Sequence, residues 1–348
     1  MAQINNNGKF SLTELTSDYR FNGIDIIKLI CAYLVCIIHI TPVMGVEFPY
    51  AFYINFILQN GICRIAVPFF FCASGFLLFR KVSLKPFDRE RVKRYCFKNL
   101  RLLGLWTVLL ICGNTTQLWY LGGLVIAAVI VSFWLQKAYS AVKIAVLSVV
   151  LYLVGLCFDS YFGIIEKISD TVGFSMIPKG LDFVFNNFSR IFILGLFSSV
   201  IFFGMGALFA YKPIKMRLFV AWIGLLLSWG LLMAEAFILK KIFDPLDYNM
   251  YLSLIPSTFF LFYIASHIRL KDRPIYEKLR KISILVFFLH QLVRRIIDWI
   301  FEGIHAAFGV ELSCAVLLST IILVTALAVL IERLSEKEKC RWLKYLYS

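Results

Sequence analysis

Lys28 and His39, an ammonium and an imidazole eleven residues apart, bracket an apolar run that follows Asn22-Gly23-Ile24-Asp25-Ile26-Ile27 and ends at Ile38. At ~100° per residue that spacing brings both to within roughly 20° of one helix face, ~16 Å apart along the axis. An imidazole is the side chain best suited to take a proton from a hydroxyl near neutral pH, once a neighbour orients it. Plainer readings stay open beside this one, an interfacial hydrogen-bonder for His39 and a snorkelling cation for Lys28. Arg64 then heads a second apolar segment, Arg64-Ile65-Ala66-Val67-Pro68-Phe69-Phe70-Phe71, which closes on Ser74-Gly75-Phe76. Gly75 beside Ser74 lets a neighbouring helix or a ligand approach the backbone closely. Lys98 and Arg101 stand three residues apart where the chain re-enters an apolar stretch, and a second basic pair, Arg91 and Arg94, lies just upstream. Cations in that position suit the phosphates of a cytoplasmic donor or anionic lipid headgroups. His290 and Arg294, one helical turn apart, must face protein or a water-filled cavity, either as a buried pair joining two helices or as a substrate contact. Trp119 and Tyr120 fit an interfacial aromatic belt as well as they fit stacking on a sugar.

The elements that position these groups belong to a membrane protein. The chain has 348 residues, 60% hydrophobic and 16% charged, with a mean hydropathy of +0.81. That polarity excludes a disordered chain, a nucleic-acid binder and a disulfide-stapled secreted domain. The nine cysteines form no CxxC pair, and most sit in or beside apolar runs, so they read as packing residues. Four scattered histidines supply no metal-ligand spacing, and no metal is expected. The first 22 residues are polar without an apolar leader core, so the first span is expected to insert the chain itself.

A helix needs about 20 apolar residues to cross a bilayer. By that measure hydropathy yields an all-α polytopic protein of about ten transmembrane helices, near 24–43, 62–79, 100–113, 118–136, 143–159, 190–211, 217–239, 250–267, 282–301 and 311–332. The third is short as drawn and is expected to begin near Lys98 or earlier. With both termini cytoplasmic, 27 of the 36 lysines and arginines fall on inner segments, as the positive-inside rule requires. The expected organisation is a cytoplasmic segment 1–22, one ten-helix domain 23–332 and a cytoplasmic tail 333–348. The connection from Asp159 to Ser189 is the one long enough for a lid or re-entrant piece. Glu235, near the end of the seventh span, and Arg294, Arg295 and Asp298, late in the ninth, fall at the depth of His39 and Arg64.

These residues resemble the signature of the acyltransferase-3 family, membrane acyltransferases that modify bacterial surface glycans. A basic residue, ten others and a histidine, here Lys28 to His39, is similar to that family's first-span pattern. Arg64-x-x-Val67-Pro68-x-Phe70-Phe71-x-x-Ser74-Gly75-Phe76 is similar to its second-span motif, and Lys98-x-x-Arg101 to its Arg-x-x-Arg pair. Leu118-Trp119-Tyr120-Leu121 and Phe287-Phe288-Leu289-His290 resemble its aromatic entry to the fourth span and its Tyr-Leu-x-His segment. Two positions depart from the pattern: Lys98 lacks the planar fork of arginine, and Gly104 stands where a proline commonly follows. The literal pair Arg91-x-x-Arg94 therefore competes with Lys98-x-x-Arg101 for the same role.

The resemblance implies O-acyl transfer in the bacterial cytoplasmic membrane, from cytoplasmic acyl-CoA, acetyl-CoA foremost and succinyl-CoA next, to a hydroxyl of an extracytoplasmic or lipid-linked glycan. On this reading His39 is the general base, or briefly carries the acyl group. Glu235 or Asp298 orients it, and Arg64 stabilises charge on the thioester oxygen. Lys28, Lys98, Arg101, Arg91 and Arg94 with Ser74 and Gly75 face the donor, and Trp119, Tyr120, His290 and Arg294 the acceptor. Membrane lipid and the glycan are the expected partners, nucleic acid is not, and the oligomeric state is open. Some family members append an extracytoplasmic domain, and none is expected here, so the protein would work alone or with a separate glycan-synthesis partner. The rival is an exporter or flippase of a glycan or lipid-linked sugar, which would have no need to bind a CoA ester.

Overall fold

The computed structural model describes residues 20–40, 50–84, 86–110, 116–174, 176–187, 190–212, 214–243, 245–308 and 313–348. Residues 1–19 of the expected N-terminal segment lie outside that set. Hydrocarbon offers no partner to backbone N–H and C=O groups, so an apolar chain must satisfy them within each segment, and helices do so. The α-helices are α1 (Asn22–His39), α2 (Ala51–Phe56), α3 (Ala66–Phe79), α4 (Arg89–Leu109), α5 (Trp119–Gln136), α6 (Ala141–Cys157), α7 (Phe162–Val172), α8 (Met176–Asn187), α9 (Arg190–Phe197), α10 (Ser199–Tyr211), α11 (Leu218–Ile242), α12 (Leu254–His267), α13 (Pro274–Phe308) and α14 (Ser313–Ser335). A 3-10 helix, Glu338–Leu346, follows α14. Among the described residues there is no β-strand.

Among the described residues each of the ten apolar segments is mostly helical, but fewer are long and apolar enough to cross a bilayer on those criteria alone. Six qualify: Asn22–His39, Ala51–Phe79, Trp119–Gln136, Phe192–Tyr211, Leu218–Ile242 and Cys314–Ser335. α6 and α7 make a seventh if counted together, with a 73° bend between them. The difference from ten has a physical origin. α4 starts at Arg89, well before Lys98, and its first half is cationic. α12 has 14 residues. α13 has 35 residues, about 52 Å at 1.5 Å per residue, and mixes apolar stretches with charged ones. The connection expected to form a lid folds as α7 and α8, and α7 ends in Gly173 at φ +80°, the left-handed conformation that glycine adopts without penalty.

The core is built on small residues. α3 and α10 lie back to back, and a Cβ on Gly75 would strike the carbonyl oxygen of Phe203, while one on Gly206 would strike that of Cys72. Only hydrogen at these positions allows the backbones so close. α1 packs against α3, α12 and α13, and α5 against α4, α9 and α10. Between α2 and α3 the chain widens into a π turn, Ile57–Gly61, and then tightens into a 3-10 turn, Ile62–Ile65. Such irregular backbone persists at membrane depth only when buried in protein. Here Trp229 Nε1 donates to the Ile62 carbonyl at 3.3 Å, and Gln59 Nε2 to the Ile37 carbonyl at 3.2 Å. That irregular segment carries Arg64.

Candidate active site

Two cavities lie on the path that α1 traces. The larger, 510 Å³, gathers Lys28, Lys81, Arg91, Lys98, Arg280 and Lys281 with apolar side chains of α3, α4, α5 and α13. Three of these cations were expected to face the donor. Lys81, Arg280 and Lys281 were not, because sequence alone assigned them to loops as orientation signals. Ser74 lines this cavity, whereas Gly75 is absent from its wall. Its place against Phe203 makes Gly75 a helix-packing residue, which corrects its expected role at the donor.

The competition between the two basic pairs of α4 resolves differently from either motif. Arg91 and Lys98 share the large cavity; Arg94 and Arg101 face a second, more open one of 500 Å³ with Lys93, Phe97, Lys98 and Ser348. Seven residues is close to two helical turns, so each face combines one member of each pair. Arg101 also donates to the Ser348 carbonyl and lies over the Tyr345 ring, 5.0 Å from its centroid. At the start of α4, Asp88 accepts from the Arg91 backbone N–H and from Arg91 Nε, both at 3.0 Å. Those two bonds, the side-chain one foremost, hold the Asp88 carboxyl below its ordinary range and seat Arg91 at the cavity mouth.

The smaller cavity, 90 Å³, is lined by His39, Arg64, Gln117, Trp119, Tyr120 and Asn249 among others. His39 and Arg64 thus meet in one chamber, as expected from their depth, and Trp119 and Tyr120 join them. The ring of His39 stacks on that of His290, centroids 5.3 Å apart and planes 24° apart. His290 Nδ1 is 2.7 Å from the Phe287 carbonyl, which can only accept, so Nδ1 carries the proton; Nε2 is buried without a partner. Arg294 Nη1 donates to the backbone carbonyl of His39, and Arg294 Nε to Asp298 Oδ2 at 3.0 Å.

Neither expected carboxylate orients the His39 ring. Asp298 pairs with Arg294, which holds the end of α1 through its backbone. Glu235 accepts from Tyr161 Oη at 2.7 Å and from the N–H groups of Leu252 and Ser253 at 2.7 and 2.8 Å. Those N–H groups stand at the start of α12, where free donors want an anion, so Glu235 caps a helix. Shared depth along separate helices did not translate into shared space.

The carboxylate that matters to the chamber was missed. Asp159, at the break between α6 and α7, is 1% exposed. It accepts from Asn249 N at 2.9 Å, Asn249 Nδ2 at 3.3 Å and Met250 N at 3.0 Å. With Nδ2 committed, the Asn249 amide turns its oxygen to Arg64 Nη1 at 2.8 Å, and Asn60 Oδ1 takes Nη2 at 2.7 Å. Arg64 Nε remains buried and unbonded. Asp159 and Asn249 are ninety residues apart in sequence with no motif around either, so no sequence signal joins them. Among the described residues, no group of three or more His, Cys, Asp and Glu side chains is placed to hold a metal.

Comparison with known proteins agrees with the motifs. The family model described as an acyltransferase domain matches residues 21–114. An amino-acid racemase of Enterococcus faecalis is 27% identical over 74% of this chain and 38% of its own length. A second amino-acid racemase of that organism is 26% identical over 79% and 41%. A serine/alanine racemase of Enterococcus gallinarum is 26% identical over 77% and 40%. The chain thus spans about two fifths of the length of these curated relatives. No solved structure matches it. Lys28, His39, Arg64, Ser74 and Lys98 all fall inside the matched segment, and the acyltransferase-3 resemblance read from their spacing is borne out by an acyltransferase-domain match that covers α1 to α4.

Proposed function

We propose that this chain is a membrane-bound O-acyltransferase that moves an acyl group, acetyl foremost, from cytoplasmic acyl-CoA to a hydroxyl of an extracytoplasmic or lipid-linked glycan. The observation that carries the reading is the succession of two cavities along α1, one cationic with an apolar interior, the other holding His39 and Arg64. A polyanionic donor with a long neutral arm matches the first in charge and in shape. By the positive-inside rule the cationic cavity opens to the cytoplasm.

In this mechanism Lys28, Arg91, Lys98 and Arg280 hold the donor's phosphates through charge-assisted hydrogen bonds. His39 takes the acceptor hydroxyl's proton as the acceptor oxygen bonds to the thioester carbon, and returns it to the sulfur as the C–S bond breaks. Arg64, its fork fixed by Asn249 and Asn60, stabilises negative charge building on the carbonyl oxygen. His290 packs on the His39 ring and limits its rotation, the orienting task first assigned to a carboxylate. Because the matched relatives are named for amino-acid racemisation, serine joins the glycans as a hydroxyl acceptor to be assayed, and alanine, which has no hydroxyl, shows whether one is required.

The test is binding and turnover of acetyl-CoA and succinyl-CoA by the purified protein in nanodiscs, wild type beside His39→Ala. The acceptors are a hexosamine oligosaccharide, a polyprenyl-linked sugar, serine and alanine. The expected result is that both forms bind donor and that release of CoA falls ~10²–10⁴-fold in the variant, the range for removal of a general base. If neither form binds a CoA ester at physiological salt, the donor reading fails and the exporter or flippase reading takes its place.

A further inference from the structure

The two cavities have Tyr120 and Phe287 in common: both rings line the 510 Å³ space and the 90 Å³ chamber. Phe70, on the wall of the larger space, completes a cluster in which each ring touches the other two. Centroids are 5.2 Å apart for Tyr120 and Phe287, 5.6 Å for Phe70 and Phe287, and 6.0 Å for Phe70 and Tyr120. The three come from α5, α13 and α3, so no single helix can carry them aside. Two of them are held from behind. Tyr120 Oη lies 3.3 Å from Ser74 Oγ, Phe71 packs on Tyr120 at 4.8 Å, and Phe288 stands edge-on to Phe287 at 5.1 Å.

On the acyltransferase reading the donor has fixed ends. Its phosphates stay among the cations, and its thioester must come within reach of His39, ~16 Å along α1 from Lys28. Phe70 on the wall of the larger space, and Tyr120 and Phe287 on the walls of both, bound the place where a thioester within reach of His39 must lay its acyl group, and the chamber adds less than a fifth of the larger volume. We infer that Phe70, Tyr120 and Phe287 form the wall against which the acyl chain is measured, and that they select short acyl groups. The rings are specificity-determining residues of the proposed reaction, and the inference rests on that reading.

Affinity for a series of donors isolates this effect without an acceptor. In an open apolar pocket each added methylene strengthens binding by ~0.8 kcal/mol, so hexanoyl-CoA would bind far more tightly than acetyl-CoA. A wall reverses the order. Dissociation constants for acetyl-, butyryl- and hexanoyl-CoA are measured by calorimetry in nanodiscs for wild type, Phe70→Leu, Phe287→Leu and Phe79→Leu. Phe79 is buried outside both cavities and reports general loosening of the core. Wild type is expected to bind hexanoyl-CoA at least tenfold more weakly than acetyl-CoA. Either ring variant is expected to close that gap or invert it, with acetyl-CoA changed by less than threefold, and Phe79→Leu to leave the order intact. Tight hexanoyl-CoA binding by wild type overturns the inference, as does an unchanged ratio in both ring variants. Failure of wild type to bind even acetyl-CoA instead overturns the acyltransferase reading itself.

Discussion

Arg64 owes its position to a carboxylate that never touches the chamber. Asp159 fixes the Asn249 amide, and the amide fixes the guanidinium. Breaking the first link leaves the guanidinium held by Asn60 alone, so Asp159→Asn is expected to lower kcat about tenfold and to leave the acetyl-CoA dissociation constant within twofold. Steady-state kinetics paired with donor titration checks it. A general loss of structure would weaken donor binding as well, and a normal kcat would remove Arg64's support from the mechanism. At this scale the sequence was legible wherever chemistry and spacing coincide on one helix. Lys28 and His39 are assigned to one face by arithmetic, and the structure puts one in each cavity on that face. It was illegible where two helices must meet, which is why Glu235 and Asp298 were chosen and Asp159 was passed over.

The helix supplies the rule that a motif conceals. In α4 Arg91 and Lys98, seven apart, meet in the large cavity and Arg94 and Arg101, also seven apart, in the open one, with Lys98 lining both. Arg91→Ala with Lys98→Ala is therefore expected to raise the acetyl-CoA dissociation constant at least tenfold, since a hydrogen bond to a charged group is worth ~1.5–3 kcal/mol. Arg94→Ala with Arg101→Ala is expected to raise it less than threefold. Titration of the two double variants at one salt concentration separates the faces, and equal losses would return the donor site to the linear motif. Gly75 makes the same point about elements. Its neighbour Ser74 reaches the cavity, while Gly75 itself faces α10, a division that follows from the ~100° step between consecutive residues.

For the molecule as a whole, hydropathy identified the helical segments, and among the described residues six helices, or seven with the bent pair, qualify as spans on length and composition beside the ten expected. The cationic first half of α4 and the shortness of α12 lower that count, and hydropathy windows do not see that such helices can be sheltered by their neighbours. The match over α1 to α4 covers Lys28, His39, Arg64, Arg91 and Lys98, while Tyr120, Arg280, Phe287 and His290 come from later helices that fold back onto them.

Phe70, Tyr120 and Phe287 lie where the cationic cavity meets the His39 chamber. On the proposed orientation, in which the two spaces open to opposite sides of the membrane, the rings would also be its electrical insulation. A protein that brings lysines from one compartment and a histidine from the other to opposite sides of a ring or two risks becoming a proton wire, with the imidazole as its relay. In liposomes holding a pH gradient, wild type is expected to preserve the gradient nearly as well as protein-free vesicles, and Phe287→Ala to dissipate it several-fold faster. Equal decay for the two proteins would place the barrier to protons elsewhere.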